Sequence, residues 1–223
     1  ILQEVIAREG SGTSGQSMLV GAWSVLARAN AQIGEWREAA VAFDRALPLD
    51  PKSASLRMAA GYAWLQIARP DLAVDRLEQS LSLQPSTEAL ILLASAESER
   101  QRMLPAKQRN WDRLKSTLKE LNRDPEAVAK VSAPWRLDFL QADLALFLAQ
   151  SAGDGGTKEA LAVLKKAETE HAGAEEFWRQ AIFAYQRLGD SAAADQALAR
   201  YSGLAKSPAD QAIAKSKLAI LRN

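Results

Sequence analysis

Apolar side chains recur at three- and four-residue steps through most of this chain, which is the spacing of one face of an α-helix. The clearest case is residues 22–51, where one apolar face around Trp23 precedes Gly34 and a second face around Phe43 follows it. Gly34 suits the left-handed conformation that ends a helix, and Pro51 disfavours helical geometry in the residue before it. The pattern therefore predicts two amphipathic helices joined by a tight turn.

The same hairpin pattern returns at a fixed interval in the next part of the chain. Small, large and helix-ending positions coincide in the two copies: Ala39 with Ala73, Leu47 with Leu81, and Pro51 with Pro85. The interval resembles that of the tetratricopeptide repeat, whose pattern is W-x2-L-G-x2-Y, then A-x3-F, then P. The first copy matches that pattern at Trp23, Leu26, Ala39, Phe43 and Pro51. It departs from the pattern at Ala27 and Asn30, where glycine and tyrosine are usual, and the second copy restores the glycine at Gly61.

The resemblance implies an all-α fold, a right-handed superhelical solenoid of helix-turn-helix repeats with a C-terminal capping helix. We expect a helix fragment and a Gly/Ser linker over residues 1–16, then a solenoid over residues 17–223. Its repeats are predicted at about 18–53, 54–86, 87–125, 126–172 and 173–206, and its cap at 207–223. The third repeat is longer, because Pro125 follows Pro85 by more than the interval between Pro51 and Pro85, and the excess extends its second helix or its turn. The fourth has an ambiguous register and a long turn at 151–156.

Composition narrows the class of protein. The formal net charge is only +1, so the whole chain gives no reason to expect nucleic acid or an anionic membrane as a partner. Cysteine is absent, which excludes disulfides, thiol catalysis and cysteine metal sites. No apolar run is long enough to span a bilayer, no signal peptide is visible, and cytoplasm and periplasm both remain open. The start without methionine suggests a fragment or processed chain, and the alanine richness suggests a bacterial one.

The sequence contains no pattern typical of a catalytic or metal site, so we expect a non-enzymatic protein without cofactor or metal. His171 is the only histidine, and it follows a predicted helix, where a cationic side chain interacts favourably with the helix dipole. The glycine-rich segment 153–158 superficially resembles a phosphate loop. It lacks the G-x-x-x-x-G-K-[ST] order and follows a helix, so we interpret it as a turn between helices.

Residues 100–123 are strongly basic in a nearly neutral chain. Their apolar face consists of Trp111, Leu114, Leu118 and Leu121, so the simpler interpretation is the solvated side of an amphipathic helix. The alternative is a docking site for an acidic protein segment or a nucleic-acid backbone. The side chains that we assign to that alternative are Lys107, Arg109 and Lys115.

In arrays of this family, the first helices of successive repeats line a concave groove. The places that would face the groove carry Arg28, Gln32, Met58, Tyr62, Gln66, Ile91, Ser95, Glu99, Arg179 and Phe183. Tyr62 and Phe183 are the predicted apolar anchors, while Arg28 and Arg179 suit carboxylates. The set lacks the lysine and asparagines with which chaperone-binding members clamp a terminal carboxylate, so no affinity for an acidic chaperone tail is expected.

The leading prediction is a non-enzymatic scaffold that binds a peptide or protein partner in this groove. One alternative is the accessory region of a larger enzyme or of a cell-envelope or exopolysaccharide secretion protein. The other is nucleic-acid binding through the basic third repeat.

Overall fold

The computed structural model describes residues 13–149 and 155–204 and, singly, Ala212 and Ser216. The described ranges are helical and contain no strand. The helices are α1 Thr13–Gln32, α2 Trp36–Ala46, α3 Ala54–Gln66, α4 Pro70–Leu83, α5 Thr87–Met103, α6 Asp112–Leu121, α7 Pro125–Ala129, α8 Arg136–Ala149, α9 Gly155–Glu170, α10 Glu175–Arg187 and α11 Ser191–Leu204. A 3-10 turn lies at Ala106–Gln108. None of the described helices is both long and apolar enough to cross a bilayer. The predicted fragment before residue 13 lies outside the described residues, as does the predicted cap apart from the two single residues.

The chain divides into two compact units, residues 1–132 and 133–223, which we call the N-terminal and C-terminal units. In the N-terminal unit each helix from α1 to α5 packs against the next one along the chain. In the C-terminal unit α8 packs against α9, and α10 packs against α11. Each of these two pairs is a helical hairpin.

The first hairpin depends on small residues at the point where α1 and α2 cross. Ala27 and Ala39 have no exposed surface, which lets α1 and α2 approach closely, and Phe43 fills the space beside them at 6 % exposure. Gly34 has a φ of 83°, the left-handed conformation predicted for the end of α1. The amide of Glu35 then donates to the carbonyl of Asn30 at 2.9 Å and closes the turn.

The start of α1 corrects the predicted linker. Residues 13–16 were predicted to be the end of a flexible Gly/Ser segment, but α1 begins at Thr13. Gln16 donates from Nε2 to the carbonyl of Leu49 at 3.1 Å, which ties the first turns of α1 to the connection after α2. The two residues are distant in sequence, so local composition does not predict this contact.

The second hairpin keeps the left-handed turn of the first without its glycine. Ala68 stands one repeat period after Gly34 and has a φ of 56°. This conformation costs an L-residue about 1–2 kcal/mol. The amide of Arg69 repeats the hydrogen bond of the first turn by donating to the carbonyl of Trp64 at 3.0 Å, and Pro70 then begins α4. This backbone hydrogen bond and the start of α4 at Pro70 thus close a turn that the propensity of alanine disfavours.

The third hairpin shows where the extra residues of this repeat lie. They do not lengthen the second helix, because α6 starts only at Asp112. They lengthen the first helix, since α5 has 17 residues and α3 has 13, and they form the connection before α6, where Gln101 accepts from the amide of Asn110 through Oε1 at 2.8 Å. Arg109 donates to the carbonyl of Leu104 at 2.9 Å. The predicted apolar face of α6 is confirmed, since its four members are all buried: Trp111, Leu114, Leu118 and Leu121.

The C-terminal unit is built around aromatic side chains. Phe177 contacts the rings of Phe139 and Trp178 at centroid distances of 5.4 and 5.2 Å, and it has no exposed surface. Trp178 also donates from Nε1 to the carbonyl of Ala172 at 2.8 Å. The predicted turn at 151–156 is shorter than expected, because α9 begins at Gly155. Residues 151–154 of that turn lie outside the described residues.

Candidate partner-binding surface

The predicted groove residues do not all reach the surface. Arg28, Gln32 and Gln66 are exposed. Ile91 is only 2 % exposed, because most sides of α5 are covered, so it is a core residue and not a contact for a partner. The remaining predicted positions in the N-terminal unit are half-buried: Met58, Tyr62, Ser95 and Glu99. These four and the three exposed residues define what we call the first-helix face.

Tyr62 is the aromatic side chain of this face. Its ring meets Trp36 edge to face, with centroids 5.5 Å apart and an interplanar angle of 83°. It also packs against the apolar cluster of α4 and α5, which includes Val74 and Leu92. One side of the ring is thus held by the fold while part of it stays accessible, and such a preorganised ring loses little conformational freedom on binding.

The polar groups of the first-helix face differ in how far they are engaged. Ser95 donates its hydroxyl to the carbonyl of Ile91 within the same helix at 2.9 Å. Glu99 is paired with Arg102 one turn further on. Arg28 forms no ion pair with any residue in the described ranges. Its guanidinium is therefore the charge on this face that is open to a carboxylate of a partner.

In the C-terminal unit the predicted contacts lie on α10. Arg179 pairs with Glu176 one turn before it, so its charge is already balanced, and Phe183 is half-buried. Arg187 pairs at 3.0 Å with Asp143, which is 8 % exposed, and so joins α10 to α8. The cleft beside this pair has room only for a water-sized molecule. This surface is held together by its own ion pairs.

The three basic residues assigned to an acidic partner have different surroundings. Lys107 is exposed in the 3-10 turn. Arg109 donates to the carbonyls of Leu104 and Arg102, so it holds the connection before α6. Lys115 lies 3.4 Å from Asp112.

The rest of the basic segment is also largely paired. Arg100 contacts Glu97 at 2.7 Å, and Arg113 contacts both Glu97 and Glu78. Glu78 lies on α4, far from this segment in sequence. Tertiary structure thus supplies acids that a count within residues 100–123 leaves out, and the segment is not a bare positive patch.

Acid–arginine contacts between successive second helices were not predicted from the sequence. Asp44 on α2 accepts from Arg76 of α4 at 2.9 Å, and its other oxygen accepts from Nε1 of Trp64 at 3.0 Å. Glu78 on α4 pairs in the same way with Arg113 of α6. The two acids are separated by one repeat period, which is the signal that could have found them.

His171 lies beside an acidic side chain and an aromatic ring of the C-terminal unit. Its Nε2 lies 3.0 Å from Oδ2 of Asp138, and its ring centroid is 5.6 Å from that of Phe177. Burial raises the pKa of the Asp138 carboxyl, although the histidine contact acts in the opposite direction. No three His, Asp or Glu side chains within the described ranges converge in a way that could hold a metal ion.

These features define the class of fold as that of the tetratricopeptide-repeat proteins, which confirms the resemblance found in the sequence. A thermophilic TPR protein from Thermus thermophilus superposes with a TM-score of 0.61 at 19 % identity, over 91 % of this chain and 98 % of that one. PilW, a type IV pilus biogenesis factor, gives 0.55 at 17 % identity over 91 % and 85 %. PilF of Pseudomonas aeruginosa gives 0.53 at 17 % over 93 % and 86 %. No family model and no curated protein sequence matches the chain.

Proposed function

We propose that this protein is a non-enzymatic scaffold that binds a peptide or protein partner on the first-helix face of its N-terminal unit. The observation that carries the proposal is the partly exposed ring of Tyr62, fixed against Trp36 and placed on the same helix as Met58 and Gln66. Aromatic side chains that are rigid and partly buried contribute strongly to binding energy. The fold that the chain shares with PilW and PilF is consistent with a binding scaffold.

The chemistry of the face favours one type of peptide. Met58 and Tyr62 offer an apolar contact, and exposed amides at Gln32 and Gln66 suit an extended backbone with unpaired hydrogen-bonding groups. Arg28 adds an exposed positive charge on the neighbouring first helix. The expected ligand is therefore a short segment with a large apolar residue and an acidic residue near it.

A phage-displayed random peptide library selected on the full chain provides a defined probe. We expect selected peptides to contain an apolar residue beside an acidic one, and calorimetry to show at least a ten-fold loss of affinity in Tyr62→Ala, because a central aromatic contact is worth about 2 kcal/mol. Arg28→Glu should weaken the same peptides, with a loss that shrinks as salt rises.

Two controls make the result interpretable. Tyr62→Phe keeps the contact with Trp36 and should retain most of the affinity, whereas a general loss of structure would appear in the circular dichroism of Tyr62→Ala. Lys119→Glu changes an exposed charge on α6 and should leave affinity unchanged. Selected peptides that bind the Tyr62→Ala and Arg28→Glu variants as tightly as the original chain would refute the proposal.

The other predicted roles have less support. Nucleic-acid binding through the third repeat is disfavoured by the pairing of Arg100, Arg109 and Arg113 within the fold. A place within a larger enzyme or a cell-envelope secretion protein is compatible with a binding scaffold and stays a prediction, as does the compartment.

A further inference from the structure

A cleft of about 280 Å³ lies where the end of α4, the start of α5 and the end of α6 meet. Its apolar lining consists of Leu81, Pro85, Leu90 and Leu121. A cavity of about 150 Å³ is large enough for a benzene molecule. The cleft, which we call the Leu90 cleft, therefore has room for one long side chain or for an organic ion of similar size.

The leucines of this cleft are covered one repeat earlier. Leu47 and Leu56 occupy the places of Leu81 and Leu90, and they are only 8 % and 9 % exposed. Both belong to the apolar cluster around Phe43. Leu81 and Leu90 themselves are half-buried. The third hairpin thus leaves open an apolar surface that the preceding repeat closes with its own side chains.

The charged side chains that line the cleft are both acidic. Glu120, in the last turn of α6, is exposed and forms no ion pair with any residue of the ranges 13–149 and 155–204. Asp124 accepts from the amide of Ala127 at 2.9 Å through Oδ1, which engages one of its two carboxylate oxygens. The neighbouring Lys119 and Arg123 are exposed and do not line the cleft. The lining therefore favours a cation.

The positive end of the α5 dipole also lies at this cleft, but it is already compensated. Ser86 caps the helix, because its hydroxyl accepts from the amide of Ala89 at 3.3 Å. Glu88 adds a negative charge in the first turn of α5, where it interacts favourably with the dipole. An anion would gain little at this helix end and would be repelled by Glu120 and Asp124.

The lining suits one class of ligand. An alkyl chain that packs against the leucines removes apolar surface from water, which is favourable. A cationic group at the end of that chain can then pair with Glu120 and Asp124 through charge-assisted hydrogen bonds. Lysine and arginine side chains combine such an apolar stem with a charged end, and free alkylamines do the same. An uncharged alkyl group lacks the second interaction.

We propose that the Leu90 cleft binds an alkylammonium or alkylguanidinium group, with the alkyl part on the leucines and the cation beside Glu120 and Asp124. A lysine or arginine side chain of a peptide and a free alkylamine share this chemistry. The site goes beyond the peptide binding proposed for the first-helix face. The two sites have no residue in common, so each proposal can fail without the other.

Methyl NMR of the full chain, labelled with carbon-13 at the leucine methyl groups, observes the cleft directly. The probes are hexylammonium, hexanol and hexanoate, which share one alkyl chain and differ in charge. We expect hexylammonium to shift the signals of Leu81, Leu90 and Leu121 and to bind about five-fold more tightly than hexanol at low salt, with a difference that shrinks as salt rises. Hexanoate should bind more weakly than hexanol. The signal of Leu164, buried in the C-terminal unit, should not move.

A double variant tests the two carboxylates. Glu120→Gln combined with Asp124→Asn should lower the affinity for hexylammonium about ten-fold and leave that for hexanol unchanged, because it removes charge and keeps shape. Asparagine still caps a helix, so α7 should be retained. Glu126→Gln is the matched control, since Glu126 is an exposed acid of α7 that does not line the cleft. It should leave the affinity for hexylammonium unchanged.

Two short peptides that differ only in a central lysine or norleucine separate the sources of the ligand. A lysine peptide that binds more tightly than hexylammonium would assign the cleft to a protein side chain, and the reverse order would assign it to a free amine. The proposal is overturned if neither cation moves the signals of the cleft leucines, or if the norleucine peptide binds as tightly as the lysine peptide. It is also overturned if the double variant binds hexylammonium as tightly as the original chain.

Discussion

Two junctions of the N-terminal unit bring the same places of the repeat together with different polar side chains. Where α3 meets α2, the tyrosine place of the repeat holds Trp64, which donates to Asp44. Where α5 meets α4, that place holds Glu97, whose side chain is only 4 % exposed, and the acid one period after Asp44 is Glu78. The first junction pairs a donor with an acid, whereas the second places two acids in one ion-pair network.

The second junction is stabilised by arginine. Arg113 contacts Glu78 and lies 2.8 Å from Oε1 of Glu97, while Arg100 contacts the other Glu97 oxygen at 2.7 Å. A buried carboxylate has a large desolvation cost unless it is paired and hydrogen-bonded. The repeat geometry therefore determines which positions meet, and the charges at those positions vary as long as a partner for each buried charge lies within reach.

The largest difference between the junctions should appear when their arginines are removed. Arg113→Met leaves buried Glu97 with Arg100 alone and Glu78 unpaired at this junction, and should lower the free energy of unfolding by about 2–3 kcal/mol. Arg76→Met should cost about 1 kcal/mol or less, because Asp44 is a quarter exposed and keeps the N–H of Trp64. Urea unfolding followed by circular dichroism measures both.

A double variant identifies the cause of that loss. Adding Glu97→Gln to Arg113→Met removes the unpaired charge and should restore much of the lost stability. The charge difference between the junctions has no energetic consequence if Arg113→Met and Arg76→Met lower the free energy of unfolding equally. The same follows if Glu97→Gln restores none of the stability that Arg113→Met removes.

The next largest effect concerns the space at the centre of each hairpin. A Cβ on Gly61 would lie 2.6 Å from Cγ of Leu77 and 3.2 Å from the carbonyl oxygen of Ala73. Gly61→Ala should therefore destabilise the protein by about 1–2 kcal/mol, although alanine is the better helix former. In the third repeat the place of Gly61 is taken by Ala94, whose side chain is buried.

Gly21→Ala is the matched control, because Gly21 is also within a helix and a Cβ there would meet nothing within 4 Å. It should stabilise the protein by about 0.5–1 kcal/mol. Denaturant midpoints of the two variants that move in the same direction would contradict the packing difference.

The smallest effect extends the comparison to the C-terminal unit, where Tyr185 donates to Glu168. Tyr185→Phe should cost about 1 kcal/mol near neutral pH. Burial, and then the hydrogen bond to Glu168, raise the pKa of Tyr185 above its ordinary value of 10.0. The tyrosine in the unfolded chain ionises first, so the stability that Tyr185 contributes is present below about pH 10 and is lost as the pH rises further.

Urea unfolding at neutral pH and at about pH 11 separates this behaviour from a simple packing loss. The advantage of the original chain over Tyr185→Phe should shrink at the higher pH. An advantage that stays constant or grows with pH would show that Tyr185 ionises at least as readily in the folded protein as in the unfolded one.

The helices and most of their turns were predictable, because they depend on residues that are close together in the sequence. The apolar faces around Phe43 and Leu114 follow the helical period, and Gly34 ends α1 in the left-handed conformation that its sequence position implies. The sequence did not decide between helix and turn for the connection before α6, because Trp111 continues the apolar spacing of that helix although it lies just before the first helical residue.

The candidate site was predicted less completely. The register of the repeat placed Arg28, Tyr62 and Gln66 on first helices, and each has surface available. The same register placed Ile91 there too, but burial of a residue depends on how many neighbours surround its helix, and α5 is covered on more sides than α1. Charges were misjudged for a similar reason, since Arg113 is neutralised by Glu78 from another helix.

By itself, the sequence determined which stretches are helical, which side of each helix is apolar and how often the hairpin recurs, because these depend on backbone and side-chain contacts within about four residues. Only the tertiary structure decided that α1 starts at Thr13, that Ala68 adopts a left-handed turn and that an apolar side of α1 stays exposed. The start of α1, for example, depends on a contact between residues far apart in the chain, Gln16 with Leu49, and such contacts can outweigh local preferences of about 1 kcal/mol.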